Sequence, residues 1–221
     1  MSTIGENLIV LKDKLPNEVC LVAVSKTKPT EDINAAYQVG QRVFGENKVQ
    51  EMCAKHEELP KDIQWHMIGH VQKNKIKYMG SFVSLIHGID SISTIKEVNK
   101  QGLKHDRVIP ILIQVKIAKE DSKFGVDVEQ LDGFLTEFNN LSFKNVEIQG
   151  FMGMATNTPD QEVIKSEFSI LKKLFDQYSS IYKSFRTLSM GMSGDYKLAI
   201  EVGSNMIRVG SAIFGKRNYD I

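Results

Sequence analysis

The feature that most constrains this chain is an alternation. Short runs rich in β-branched and apolar residues, at 21–24, 42–44, 64–68, within 82–89, 108–117, 146–154, 187–190 and 206–209, read as eight strands. Helical patterns separate them, at 30–39, from Asn47 to about Glu58, 73–78, up to Gly102, 126–139, up to about Tyr178, and 195–201. Strict alternation of this kind implies parallel strands joined by right-handed crossovers. Eight such units, with no proline-rich linker or low-complexity tract between them, predict an α/β fold: a single closed (β/α)8 TIM barrel forming one domain over residues 1–221. An open doubly wound sheet is the alternative. Ile4, Leu8, Ile9 and Leu11 fall near helical spacing, so residues 3–14 form an extra amino-terminal helix, expected to cover the foot of the barrel. Thr30 before Glu31 and Asp32 reads as one helix cap, and Thr158-Pro159-Asp160-Gln161 as a capping box for another.

Composition narrows the function classes. The formal net charge of the 221 residues is +1, so nothing global points to nucleic acid or an anionic membrane. The basic run Lys73-Asn74-Lys75-Ile76-Lys77 reads as a solvated helix face. Cys20 and Cys53 are isolated, without the spacing of a zinc site, and read as reduced thiols of a cytoplasmic protein; no metal site is expected. No segment approaches the roughly 20 apolar residues of a membrane span, and residues 1–10 lack the pattern of a signal peptide.

At the carboxyl end of the first strand, Leu21-Val22-Ala23-Val24-Ser25-Lys26-Thr27-Lys28-Pro29 presents a lysine where parallel α/β folds bind ligands. An amine partly desolvated there loses preference for its charged form and becomes a nucleophile towards an aldehyde. Alone, Lys26 reads first as a solvated loop lysine beside Lys28, since lysines are mostly exposed. The far end of the chain changes that balance. Ser189-Met190-Gly191-Met192-Ser193-Gly194-Asp195 follows the seventh strand, and Arg208-Val209-Gly210-Ser211-Ala212-Ile213-Phe214-Gly215 spans the end of the eighth. Loops after strands seven and eight are where these barrels hold phosphate. Glycine lets backbone N–H groups approach an anion, and Ser193 and Ser211 add hydroxyl donors. A lysine and a phosphate cradle at one barrel mouth fit a phosphorylated aldehyde, pyridoxal phosphate first and a ketose phosphate of an aldolase second. Arg208, two residues before Gly210, favours the first, since a permanently protonated guanidinium donates to an unprotonated pyridine nitrogen; an ion pair with a barrel carboxylate is its alternative role.

Ala23-Val24-Ser25-Lys26-Thr27-Lys28-Pro29, Phe44-Gly45-Glu46-Asn47, Trp65-His66-Met67-Ile68-Gly69, Gln72-Lys73-Asn74-Lys75 and the two glycine-bearing stretches above resemble, in order and across nearly the whole chain, the pyridoxal phosphate homeostasis proteins (the YggS or PROSC type). The resemblance implies a barrel of the alanine-racemase N-terminal-domain type with pyridoxal 5'-phosphate as a Schiff base on Lys26. It also implies phosphate contacts at Ser193, Gly210 and Ser211, and Arg208 near the pyridine nitrogen. Three positions depart from the usual pattern: Val71 for leucine, Gly88 for serine, and Lys116 for asparagine, the last raising the question of a second cation at the mouth. Asn47 and His66 end strands two and three, where they could line the ring or orient loops; Tyr196 and Tyr219 are further candidates for the mouth.

Two function classes remain. One is a carrier that stores, buffers or delivers pyridoxal phosphate in vitamin B6 and amino-acid homeostasis, its partners being the cofactor and apo-enzymes that use it. The other is a small racemase. Racemisation needs acid/base groups on both faces of the reacting carbon. Alanine racemases, which this barrel resembles, take the second group from a further domain for which residues after the eighth strand leave no room. Arg208 would also keep the ring nitrogen unprotonated, weakening the electron sink. The expectation is a monomeric carrier with no firmly assigned catalytic residue.

Overall fold

A computed structural model describes residues 3–119 and 124–215. Its strands are β1 (Cys20–Val24), β2 (Val43–Glu46), β3 (Gln64–His70), β4 (Leu85–Ile89), β5 (Ile109–Lys116), β6 (Val126–Asp127), β7 (Val146–Met152), β8 (Thr187–Met192) and β9 (Met206–Val209). The two-residue β6 pairs with the end of β5, so β8 and β9 are the seventh and eighth barrel strands. All pairings are parallel, and the pairing of β4 with β5 joins the two ends of the sheet into a closed barrel. The period of two along each strand sorts the apolar residues into two layers. Leu21, Ala23, Ile111, Ile113, Ile207 and Val209 pack outward under the helices, while Val22, Leu85, Leu112, Met152 and Met206 form a separate inner cluster. Burial on both faces is why these strands read as unbroken apolar runs.

The helical layer consists of α1 (Ile4–Lys12), α2 (Thr30–Gln38), α3 (Val49–Glu58), α4 (Ile76–Met79), α5 (Ile92–Lys104), α6 (Leu131–Asn140), α7 (Gln161–Ser179), α8 (Tyr196–Val202) and α9 (Ser211–Phe214). On α7, Ile164, Phe168 and Leu171 follow the helix repeat and are buried, each such side chain contributing about 1.5–3 kcal/mol. No described helix is long and apolar enough to cross a membrane.

Four local expectations are corrected. The α7 cap is Asp160, whose side chain accepts from the amides of Glu162 and Val163, while Thr158 Oγ1 accepts only from Asp160 N. Either residue can cap, and the one adjoining the first buried turn does so. Thr30 is inside α2, with Pro29 at the cap and no side-chain bond. Residues 126–130 are β6 and a 3-10 turn, because Val115 and Lys116 offer them a strand to pair with. The extra helix α1 lies in the helical layer against α2 and α9, Asn7 Nδ2 donating to Ile213 O, and buries Leu8 and Leu11 there. With α9 only four residues long, the barrel wall beside β1 and β9 needs that cover more than its foot does.

Candidate functional site

A cavity of about 320 Å3 opens at the carboxyl ends of the strands. Lys26 enters it after β1, Asn47 after β2, Ser193 and Gly194 after β8, and Gly210 and Ser211 after β9, with Arg208 as the penultimate residue of β9. Val24, Ile68, Met154 and Met192 give it apolar walls. Its ionisable lining side chains are Lys26, Lys28 and Arg208, all cationic types, and no carboxylate is among its described lining residues. Lys28 Nζ donates to Phe214 O at 2.8 Å, tying the loop after β1 to α9. The loops after β8 and β9 are joined as well, Gly210 N donating to Ser193 Oγ at 3.2 Å. The α9 ladder begins with Ile213 and Phe214 donating to Gly210 O, so the amides of Ser211 and Ala212 lie ahead of it.

Arg208 shows what the cavity lacks. It is only 4% exposed, and its inward direction follows from the strand period, two residues beyond the inner-layer Met206. Three of its five N–H donors are spent, on Ser189 O (2.9 Å), Ser189 Oγ (2.6 Å) and Gly153 O (3.1 Å). All three acceptors are neutral, and among the described residues no carboxylate is within ion-pair distance, which excludes the alternative role as a barrel salt bridge there. Burial lowers its pKa to about 10, with Asp195 acting in the opposite sense.

Behind Arg208 a hydrogen-bonded chain crosses the barrel interior. His87 Nδ1 meets Ser189 Oγ at 3.1 Å, and His87 Nε2 meets His66 Nδ1 at 3.1 Å. Arginine only donates, so Ser189 Oγ accepts from it. With Ser189 donating to His87 Nδ1, His87 Nε2–H donates to His66 Nδ1, and each contact has one donor and one acceptor. Both rings are neutral. Burial lowers the His66 pKa to about 3, and burial, then His66, then Arg208 hold His87 well below the usual histidine range.

The structure thus gathers Lys26, Asn47, Ser193, Arg208, Gly210 and Ser211 round one cavity, but not His66, which stands in the interior as support for the Arg208 side. Lys116 is not in the lining, so it supplies no second cation there. Tyr196 packs against the outer core at the start of α8, and Tyr219 lies outside the described residues. Gly88 has a steric reason: a Cβ would stand 2.6 Å from Gly69 O, so the serine usual at this position could not fit without movement. Sequence reasoning missed Ser189 and the closeness of the two histidines. Alternation places His66 and His87 on inner faces of neighbouring strands, which was the available signal.

The family model described as "Alanine racemase, N-terminal domain" matches residues 1–218, which gives the class of barrel. The pyridoxal phosphate homeostasis protein of Vibrio alginolyticus is 40% identical over 214 residues, covering 93% of this chain and 90% of its own. PipY of Synechococcus elongatus, solved without pyridoxal phosphate, superposes with a TM-score of 0.90 at 34% identity, covering 96% of this chain and all of that one. Solved with pyridoxal phosphate bound, PipY superposes with a TM-score of 0.88 at 33% identity and the same coverage. The chain belongs to the pyridoxal phosphate homeostasis protein family.

Proposed function

We propose that the cavity binds pyridoxal 5'-phosphate and that the protein holds and releases this cofactor in vitamin B6 and amino-acid homeostasis. The observation that carries the reading is the gathering of three cationic side chains, without a described acid, beside two glycine- and serine-bearing loops. The residues fit the group. Gly194 and Gly215 line the cavity with nothing within 4 Å of the place a Cβ would occupy, which leaves room for an anion at the backbone. Ser193, Gly210 and Ser211 would hold the phosphate, Arg208 with its unspent donors would face the ring nitrogen, Asn47 would border the ring, and Lys26 would be the amine that meets the aldehyde. When bound, the cofactor supplies an electrophilic aldehyde and an electron sink. The chain's own residues bind it, orient it and, through Val24, Ile68, Met154 and Met192, keep water from one side of it.

A carrier is favoured over a racemase by the lining itself. Lys28 is tied to Phe214 O, Arg208 holds its proton at working pH, and the described lining offers no tyrosine, histidine or carboxylate for a second face. We assign the 221 residues to one domain, acting as a cytoplasmic monomer that passes the cofactor to apo-enzymes. The test is spectroscopic. Purified protein mixed with pyridoxal phosphate is expected to gain a visible band that borohydride removes, with the reduced label on Lys26; Lys26→Ala should show neither. Label on Lys28 or Lys116 in place of Lys26 would overturn the assignment.

A further inference from the structure

The residues on either side of Lys26 are held by one ionic cluster that the cavity does not include. Ser25 Oγ donates to Glu46 Oε1 at 2.6 Å. Lys55 Nζ donates to Ser25 O at 2.8 Å, to Glu46 Oε1 at 2.8 Å and to Glu51 Oε1 at 2.7 Å. The same Glu51 oxygen accepts from Thr27 N at 2.5 Å. The backbone is therefore clamped at the carbonyl before Lys26 and at the amide after it. Thr27 sits at φ 64, a left-handed conformation that a β-branched residue adopts only when its surroundings hold it there.

Three features separate this cluster from an ion pair that stabilises the fold in general. Three of its five hydrogen bonds end on Ser25 or Thr27. Ser25, Glu46 and Lys55 are buried, so their geometry is fixed by packing as well as by charge. The three N–H donors of Lys55 meet three acceptors, so this amine is fully engaged and cannot compete with Lys26 for an aldehyde. Lys28, the other neighbour, is drawn off to Phe214 O.

We propose that Glu46, Glu51 and Lys55 are positioning residues for Lys26, fixing the backbone on both sides of it so that its amine, and not that of Lys28, is the one presented to an aldehyde in the cavity. This rests on the reading of Lys26 as the attachment point. The informative position is Glu51, whose side chain is 22% exposed and whose loss the fold tolerates better than loss of the buried pair. The full-length wild type, Glu51→Ala and Glu51→Gln are incubated with pyridoxal phosphate below saturation, reduced with borohydride and peptide-mapped. In parallel, without any aldehyde, exchange of the Thr27 amide hydrogen is followed. In Glu51→Ala we expect Lys26 labelling to fall about 10- to 100-fold, the size expected for misplacing a reacting group by an ångström, with a rising share on Lys28 and fast Thr27 exchange. Glu51→Gln keeps an oxygen that accepts from Thr27 N and should restore both. Equal Lys26 labelling in wild type and Glu51→Ala, or a loss that Glu51→Gln does not rescue, overturns the inference. Label absent from Lys26 in wild type, with Thr27 still protected, breaks the functional reading while upholding the anchoring.

Discussion

The barrel buries two cations in opposite circumstances. Lys55 is surrounded by two carboxylates and a carbonyl that use all its donors. Arg208 meets only a hydroxyl and two carbonyls and lines a cavity with donors to spare. A buried charge must be compensated by something. Where the protein supplies the compensation, as under the loop after β1, the cation belongs to the scaffold. Where it supplies dipoles alone, as beneath β8 and β9, the unspent donors are left to the ligand proposed above. On the proposed reading the site divides accordingly into a rigid half, the cluster flanking Lys26, and a receptive half, which has donors left for an acceptor.

The largest expected effect comes from breaking the matched cation. Lys55→Met leaves the Glu46 carboxylate buried with only Ser25 as donor, its Oε2 already having no partner among the described residues. Urea unfolding at neutral pH should show a loss of about 3–5 kcal/mol, the usual consequence of orphaning one member of a buried pair. Adding Glu46→Gln in that background should recover part of it, since the uncompensated charge is then gone. A single-variant loss below about 1 kcal/mol, as for an exposed pair, would erase the distinction between the two cations.

Arg208→Met is the complementary case. It removes an unmatched charge, so its toll on the unliganded fold should be smaller than that of Lys55→Met, limited to the stranded Ser189 and Gly153 oxygens. Its toll on cofactor binding should be about 1.5–3 kcal/mol, roughly 10- to 150-fold in affinity, for one charge-assisted hydrogen bond. Titration calorimetry alongside urea melts separates the two quantities. A variant that melts as badly as Lys55→Met yet binds pyridoxal phosphate as well as wild type would place Arg208 in the scaffold too.

The receptive half is the more legible of the two in the sequence. Gly210, Ser211 and Ser193 announce themselves locally, by residue type beside a strand end, whereas Lys26 gains meaning only once those loops are read with it. The eight barrel strands are legible for a related reason: burial on both faces makes each a short apolar run. The rigid half is hidden because its partners are distant. Lys55 bonds residues 9 and 30 positions away, and in a helix full of charge it reads as solvated. Glu46 looks like the start of a turn, and only the pairing of Glu46 with Met67 shows that β2 extends through it. The Ser189–His87 contact spans 102 positions. Such contacts are properties of barrel closure, and no local pattern encodes them.

The smallest effect probes the neutral chain that backs Arg208. His66 and His87 are uncharged in the folded state, with the His66 pKa near 3, whereas in the unfolded chain both protonate near the ordinary 6.5. Below about pH 6.5 the unfolded state therefore binds more protons, and stability is lost as pH falls, continuing towards pH 3 for His66. The slope approaches about 1.4 kcal/mol per pH unit for each ring. Glu46 acts in the opposite sense, because burial raises its carboxyl pKa despite Lys55 and the folded state keeps that proton longer. Comparing wild type with His87→Gln cancels Glu46 and the surface carboxylates, leaving the ring's share. Urea midpoints at pH 7.5, 6.5, 5.5 and 4.5 should fall more steeply in wild type than in His87→Gln. Parallel slopes would mean that His87 takes up its proton in the folded barrel over the same pH range as in the unfolded chain, so that a second cation would stand beside Arg208 only once the pH falls below about 6.5.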